Sequence, residues 1–298
     1  VHRGRLRDGR EVAVKVQRPG VAEAILEDME ILAGLARTAD RVTTLGRRLH
    51  FADWVHEFSG MLQAELDYRQ EADNLERFAR HFEDDPRLCV PVPLRDLSGR
   101  RVLVMTLIDG MRIAEVPDVR RIELDMRGLA ESLLRGYLDQ VFVHGDLHAD
   151  PHPGNVLITA DDRLALVDFG MVAHVAPRLR TRLLRLLLAA VDGRGETVAD
   201  ILAAASQPLR GFVDADFSRD VARVVARYSA HGRSGLYSEG RMFFDMVRLA
   251  TDHGLRTPPE LSLFGKTLLN LESVCDALDS GLDRRALVSA HLQGVVLR

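Results

Sequence analysis

The sequence is poor in lysine. Of its 40 basic side chains only Lys15 and Lys266 are lysine, and the other 38 are arginine. Each lysine therefore raises the question of what a compact ammonium does there that a planar guanidinium could not. Cysteine is scarce too. Cys89 and Cys275 stand far apart in no metal-type spacing, which excludes a disulfide scaffold or a zinc ribbon and suits the reduced thiols of a cytosolic protein. No apolar run approaches about 18 residues, so no transmembrane helix is expected. A net charge of −4 over 298 residues supplies no field that would draw the chain to nucleic acid. The first residues carry no signal-peptide pattern and no initiating Met. They run almost directly into a strand-like segment, so the chain is expected to begin inside a larger domain.

What is present is a composition 46% apolar and 28% charged, that of a water-soluble globular chain long enough for a large two-lobed domain. Residues 9–19, GREVAVKVQRP, alternate and are rich in valine. With the turn RDGR before them they predict the second strand of a hairpin carrying Lys15 on one face. Residues 21–39 and roughly 52–82 have helical periodicity. RLCVPVPL and residues 101–110 predict strands, and residues 120–141 an amphipathic helix. NVLI and LALVDFG predict a short hairpin around the turn TADDR. From residue 177 onward the pattern is helical, broken at DGRGE, SQP, HGRSG and RTPPE. Strands first and helices later predict an α+β chain: a small β-rich lobe over residues 1–108, a large helical lobe over residues 109–298, and the polar site where they meet.

The densest polar motif is HGDLHADPHPGN, residues 144–155, which holds His-x-Asp twice. His144, His148 and His152 stand four apart, as metal ligands on a helix would. Gly145, Pro151, Pro153 and Gly154 rule that helix out, so the segment is a loop. Phosphoryl transfer needs a lysine on the phosphates, a carboxylate and an amide on magnesium, and another carboxylate for the nucleophile. In protein kinases the metal-binding Asn follows the catalytic Asp by five residues. Asp150 to Asn155 has that spacing, whereas Asp146 plus five is Pro151, which has no side-chain ligand. The spacing therefore selects Asp150. Asp168-Phe169-Gly170 follows at the end of the predicted hairpin as the second metal ligand, and Lys15 in VAVK lies on an upstream strand.

HADPHPGN (148–155), ELDYRQEADNLERF (65–78), EVAVKVQRPG (11–20) and DFG (168–170) resemble the UbiB/AarF family of atypical kinase-like proteins. The resemblance covers at least residues 1–175 and extends more loosely to residues 258–279. It implies a two-lobed protein-kinase-like fold and binding of ATP with Mg²⁺. Lys15 would hold the α- and β-phosphates and pair with Glu71. Glu65 and Asp67 would form an acidic pair near the nucleotide, and Met105 and Leu107 would offer hinge backbone to the adenine. Asp150 would be the catalytic-loop aspartate, and Asn155 and Asp168 the magnesium ligands. Family members are ATPases that support quinone-type isoprenoid lipid biosynthesis, so an isoprenoid lipid or quinone-biosynthesis proteins are the partners implied.

Three features depart from the family. The K-x-G-Q extension and the alanine-rich nucleotide loop do not occur in these residues, so weak nucleotide binding is expected of the chain as it stands. Thr106 occupies a hinge position where the family tends to have Glu. Position 146 tends to be apolar and here is Asp, expected to be a partly exposed carboxylate binding loop N–H groups. HGDLH also opens the catalytic loop of aminoglycoside-type phosphotransferases. Two other readings stay open: a small-molecule phosphotransferase, and a nucleotide-binding pseudokinase that regulates partners. Finally, residues 177–191 place Arg178, Arg182 and Arg185 on one helical face and Leu179, Leu183, Leu186 and Ala190 on the other. Such a helix could give a cytoplasmic protein peripheral membrane contact.

Overall fold

The computed structural model describes residues 1–43, 46, 51–209, 211–231 and 238–297, and of residues 54, 57, 61, 64, 65 and 231 only the backbone. It divides into two compact units. One comprises Val1–Arg80, Val90–Asp109 and Val167–Met171, and the other His81–Cys89, Gly110–Leu166 and Val172–Arg298.

The first unit is built on an antiparallel sheet ordered β1 (His2–Arg5), β2 (Glu11–Val16), β3 (Val102–Thr106). The predicted hairpin forms because Gly9 takes φ 92° and Asp8 Oδ1 accepts the Arg10 N–H, which closes the turn. Lys15 stands opposite the fully buried Leu103. Helices α1 (Val21–Val42) and α2 (Phe51–Glu65) pack on each other. Asp40 accepts the N–H groups of Phe51 and Ala52 and so starts α2. Helix α3 (Tyr68–His81) buries Glu71, Ala72, Leu75 and Phe78 on one face, the three-to-four-residue spacing of an amphipathic helix.

The expectation of one helix over roughly 52–82 needs correction. It breaks at Leu66-Asp67, where Asp67 accepts the Arg69 N–H and Tyr68 N–H binds the Arg100 carbonyl. A local aspartate thus redirects a chain whose apolar period continues through the break. The helix expected over 120–141 is likewise divided. Asp118–Glu123 is a short helix, and α4 (Met126–Asp139) starts afresh with the Asp125 side chain accepting the Gly128 N–H.

Of RLCVPVPL, residues 92–94 lie in the first unit against β3, bridged at Pro93 and Met105, while Leu88–Cys89 forms a two-residue strand in the second unit. That strand runs parallel to β7 (Leu164–Leu166). β7 pairs with β6 (Val156–Thr159), and β6 with β4 (Gly110–Arg112). The β6–β7 turn has Asp162 at φ 64°, a conformation that aspartate tolerates. Separately, β5 (Asp146–His148) pairs with β8 (Val172–His174). Among the described residues six helices follow: α5 (Pro177–Val191), α6 (Gly195–Ala205), α7 (Asp214–His231), α8 (Glu239–Asp252), α9 (Pro259–Leu278) and α10 (Arg284–Val296). Their interior is filled by Phe217, Val221, Val225, Phe243 and Val274. The breaks expected at DGRGE, SQP and RTPPE fall between helices, and most of HGRSG lies outside the described residues.

Helix α5 has the two faces expected of it, Leu and Ala on one and Arg on the other. Its apolar face is already occupied: Leu183, Leu186 and Ala190 are buried, and α5 packs on α6, α7 and α10. The arginine face, Arg178, Arg182 and Arg185, is the exposed one. Among the described residues no helix is long and apolar enough to cross a membrane.

Candidate active site

In the first unit, β2 and α3 bring Lys15 to Glu71. The ammonium donates to both carboxylate oxygens at 2.8 and 2.9 Å, and to Asp168 Oδ1 at 3.3 Å. The Tyr68 ring lies 5.4 Å from the same nitrogen. Glu71 is 3% exposed. Burial pushes its carboxyl above the usual range, and Lys15 only partly reverses that. Burial alone would depress Lys15, but Glu71 and Asp168 outweigh it and raise the ammonium. The two directions agree on one point: Lys15 stays charged.

Helix α3 also fixes the DFG segment, which the sequence reading did not foresee. Asn74 Nδ2 donates to the Phe169 carbonyl at 2.9 Å, and the fully buried Phe169 ring packs on Phe78 at 4.8 Å. Residues 71, 74 and 78 share one helical face, and that spacing was the available signal. Asp168 turns back to accept the Gly170 N–H at 3.1 Å, with its side chain 45% exposed.

The remaining expected nucleotide-side residues lie in this unit. Met105 is buried and Leu107 half-buried. Thr106, the residue in place of Glu, ties the strand to Val92, for its N–H binds the Val92 carbonyl and its hydroxyl accepts the Val92 N–H, both at 2.9 Å. Asp67 is held by the Arg69 guanidinium at 2.6 Å, which keeps its carboxyl below the ordinary range. The Glu65 side chain lies outside the described residues.

In the second unit, the loop 148–155 is anchored from below. His148 is buried, with Nδ1 2.7 Å from the Tyr137 hydroxyl, and its N–H binds Gln140 Oε1. Burial lifts the Tyr137 hydroxyl far above the usual range, so it stays protonated. Asn155 Nδ2 donates to the Asp150 carbonyl at 3.3 Å, a bond that closes the five-residue spacing from which the two were paired. His152 Nδ1 accepts the Gly154 N–H. His144 stacks on His81 with centroids 4.0 Å apart. The three histidines thus have separate duties, and among the described residues no metal-ligating cluster exists.

Two residues beside Asp150 were not assigned from the sequence. Asn270 Nδ2 donates to Asp150 Oδ1 at 3.0 Å, and Lys266 Nζ lies 3.8 Å from the same oxygen. Both stand on α9. The scarcity of lysine was the signal that Lys266 has a task.

Asp146 corrects an expectation. It is buried at 4% exposure, not partly exposed. Its oxygens lie 3.5 Å from His81 Nε2 and 3.4 Å from His174 Nδ1. Pairing of β5 with β8 draws it inward.

Magnesium prefers oxygen ligands and keeps part of its shell for phosphates and water. The Asp168 carboxylate in the first unit and the Asn155 carboxamide in the second each offer an oxygen of the kind that ion takes.

The sequence model of the ABC1 atypical kinase-like domain matches residues 1–202, and that of the UbiB helical domain residues 237–283. A probable protein kinase UbiB of Marinobacter nauticus is 31% identical over 95% of this chain and 52% of its own length. An uncharacterized protein of Synechocystis is 30% identical, over 91% of this chain and 69% of its own. The chain spans about half the length of several curated relatives it matches. The solved complex of Rv3197 with erythromycin from Mycobacterium tuberculosis superposes with a TM-score of 0.64 at 24% identity, covering 96% of this chain and 72% of that one. That likeness is one of fold, and with the ABC1 match it fits the kinase-like fold that the family resemblance implied. With both of its characteristic domain models matched in sequence order, the chain belongs to the UbiB/ABC1 family of atypical kinase-like proteins.

Proposed function

We propose that the chain acts on ATP with Mg²⁺, as an ATPase or phosphotransferase, and supports the biosynthesis of a ubiquinone- or quinone-type isoprenoid lipid. The observation that carries the catalytic part is the Lys15–Glu71–Asp168 group, an ammonium held charged by two carboxylates in a half-buried place. The lipid part is supported by the relatives named UbiB.

In this reading Lys15 holds the α- and β-phosphates, Glu71 aims Lys15, and the backbone at Met105 and Leu107 receives the adenine. Glu65 and Asp67 stand near the nucleotide. Asn155 and Asp168 would hold magnesium, which when bound offsets charge on the phosphate oxygens. Asp150 orients the attacking oxygen, that of water or a small hydroxyl, and takes its proton as the new P–O bond forms. The bond from the γ-phosphorus to the β-phosphate oxygen breaks, and ADP leaves. Asn270 holds one Asp150 oxygen, which fixes the carboxylate's direction. Burial of Asp146 between two imidazoles favours Asp150 as the acting aspartate and weighs against the aminoglycoside-type register.

The test is Mg²⁺-ATP hydrolysis, with detergent or lipid present, by the wild type, Asp150→Asn and Asp146→Asn. Asp150→Asn should lower turnover about 10²–10⁴-fold without changing the melting temperature. Asp146→Asn should melt earlier yet retain turnover while folded. Loss of turnover through Asp146→Asn alone would reverse the register.

A further inference from the structure

Asp150 is to face a transferring phosphoryl group, and the loop from Asp150 to Asn155 contains no lysine or arginine. Charge on that group is stabilised by fixed cations aimed at it. Any such side chain beside Asp150 must therefore come from elsewhere in the fold. Helix α9 supplies one. Lys266, Thr267 and Asn270 lie within a little more than one turn and all face the same two residues of the loop. The Thr267 hydroxyl reaches the Ala149 carbonyl at 3.3 Å, Asn270 binds Asp150 Oδ1 at 3.0 Å, and Lys266 approaches that oxygen at 3.8 Å.

These three contacts differ in kind. Thr267 is 1% exposed and Asn270 makes a direct hydrogen bond, so both serve to hold the loop. Lys266 is 46% exposed and lies beyond hydrogen-bond distance. As an ion pair at that exposure it adds little to stability, and Asn270 already holds the oxygen it faces. Among the described residues its ammonium makes no hydrogen bond to the protein, and it lies half-exposed beside Asp150. A chain that uses arginine at 38 of 40 basic positions has a lysine here, and a compact ammonium can approach phosphate oxygens next to a carboxylate without the width of a guanidinium.

We infer that Lys266 is a catalytic residue: its ammonium binds the γ-phosphoryl oxygens of the nucleotide beside Asp150 and follows their charge as the group transfers. The inference rests on the proposed ATP chemistry and adds to it a residue from the helical region at 237–283.

The experiment pairs turnover with binding. Lys266→Met, and Lys266→Gln as an uncharged polar second variant, are compared with the wild type for Mg²⁺-ATP hydrolysis. Affinity for Mg²⁺-ADP and for the non-hydrolysable triphosphate AMP-PNP is measured by calorimetry. Turnover should fall about 10²-fold, AMP-PNP should bind about tenfold more weakly, and ADP affinity and melting temperature should be unchanged. Turnover within threefold of the wild type, with AMP-PNP and ADP affinities unchanged, overturns the inference and leaves the ATPase reading standing. Equal weakening of ADP and AMP-PNP also overturns it, since contact with the γ-phosphoryl would spare ADP. A wild type that binds AMP-PNP without hydrolysing ATP defeats the enzymatic reading, and the AMP-PNP to ADP ratio then decides Lys266 alone. A wild type that binds neither nucleotide overturns both.

Discussion

The two lysines are placed in opposite ways. Lys15 is enclosed: two carboxylates and an aromatic ring surround its ammonium, at 20% side-chain exposure. Lys266 is open, at 46% exposure and 3.8 Å from one carboxylate. An enclosed charge has its geometry set before any ligand arrives, whereas an open one can follow a ligand. The enclosed lysine should therefore matter to folding as well as to chemistry, and the open one to chemistry alone.

The sharpest way to break this comparison is Lys15→Met. It leaves Glu71 buried with its principal cation gone, a loss that typically costs about 3–5 kcal/mol, and turnover should disappear with it. The double variant Lys15→Met/Glu71→Met removes both charges. It should recover most of the stability and none of the turnover, because a buried pair replaced by apolar groups is often neutral in stability. Denaturant midpoints read both effects. A Lys15→Met protein as stable as the wild type would end the distinction between an enclosed and an open lysine.

What could be read in advance follows the same division. The contact between Asp150 and Asn155 was legible from short-range spacing and residue type, and the pairing of Lys15 with Glu71 from the family resemblance. The β6–β7 hairpin was legible because TADDR is turn chemistry and Asp162 accepts the left-handed conformation. What spacing did not mark was long-range. Asn270 meets Asp150 from 120 residues away, and Phe78 meets Phe169 across the fold. Apolar periodicity also ran through Leu66-Asp67 and Leu124-Asp125, where an aspartate cap interrupts the helix without disturbing the period. Asp146 was misjudged because a polar residue in a polar loop gives no hint of the strand pairing that buries it.

The helix that carries Lys266 should itself respond to pH. Glu272, on α9, is buried and lies near Glu239, and these two effects push its carboxyl up to about 7. The protonated form is thus the one the fold prefers. Its contribution is complete below about pH 4.5 and is lost as pH rises through about 7. Against Glu272→Gln, which keeps an oxygen for the Gly240 N–H, the wild type should lose about 3 kcal/mol of stability across that window. Thermal melts of both proteins from pH 4.5 to 8 read the difference. Parallel pH profiles would mean that Glu272 ionises as an ordinary surface carboxylate and that α9 is indifferent to it.

A smaller loss of stability than those at Lys15 and Glu272, and the one that best isolates geometry, comes from Asn74. Its amide donates to the Phe169 carbonyl, and Arg77 binds its carbonyl oxygen. Asn74→Ala should cost about 1 kcal/mol, the ordinary worth of such a hydrogen bond. Phe169 remains packed on Phe78, so the DFG segment should stay in place but hold Asp168 less firmly. Turnover should fall further than stability does, and magnesium should be needed at higher concentration for half-maximal rate. That contrast arises because Lys15 meets Asp168 at 3.3 Å but Glu71 at 2.8 Å, which makes Asp168 the looser wall of the enclosure. A variant that loses stability and keeps the wild-type magnesium dependence would assign Asp168's position to Lys15 and Gly170 and reduce Asn74 to a packing contact.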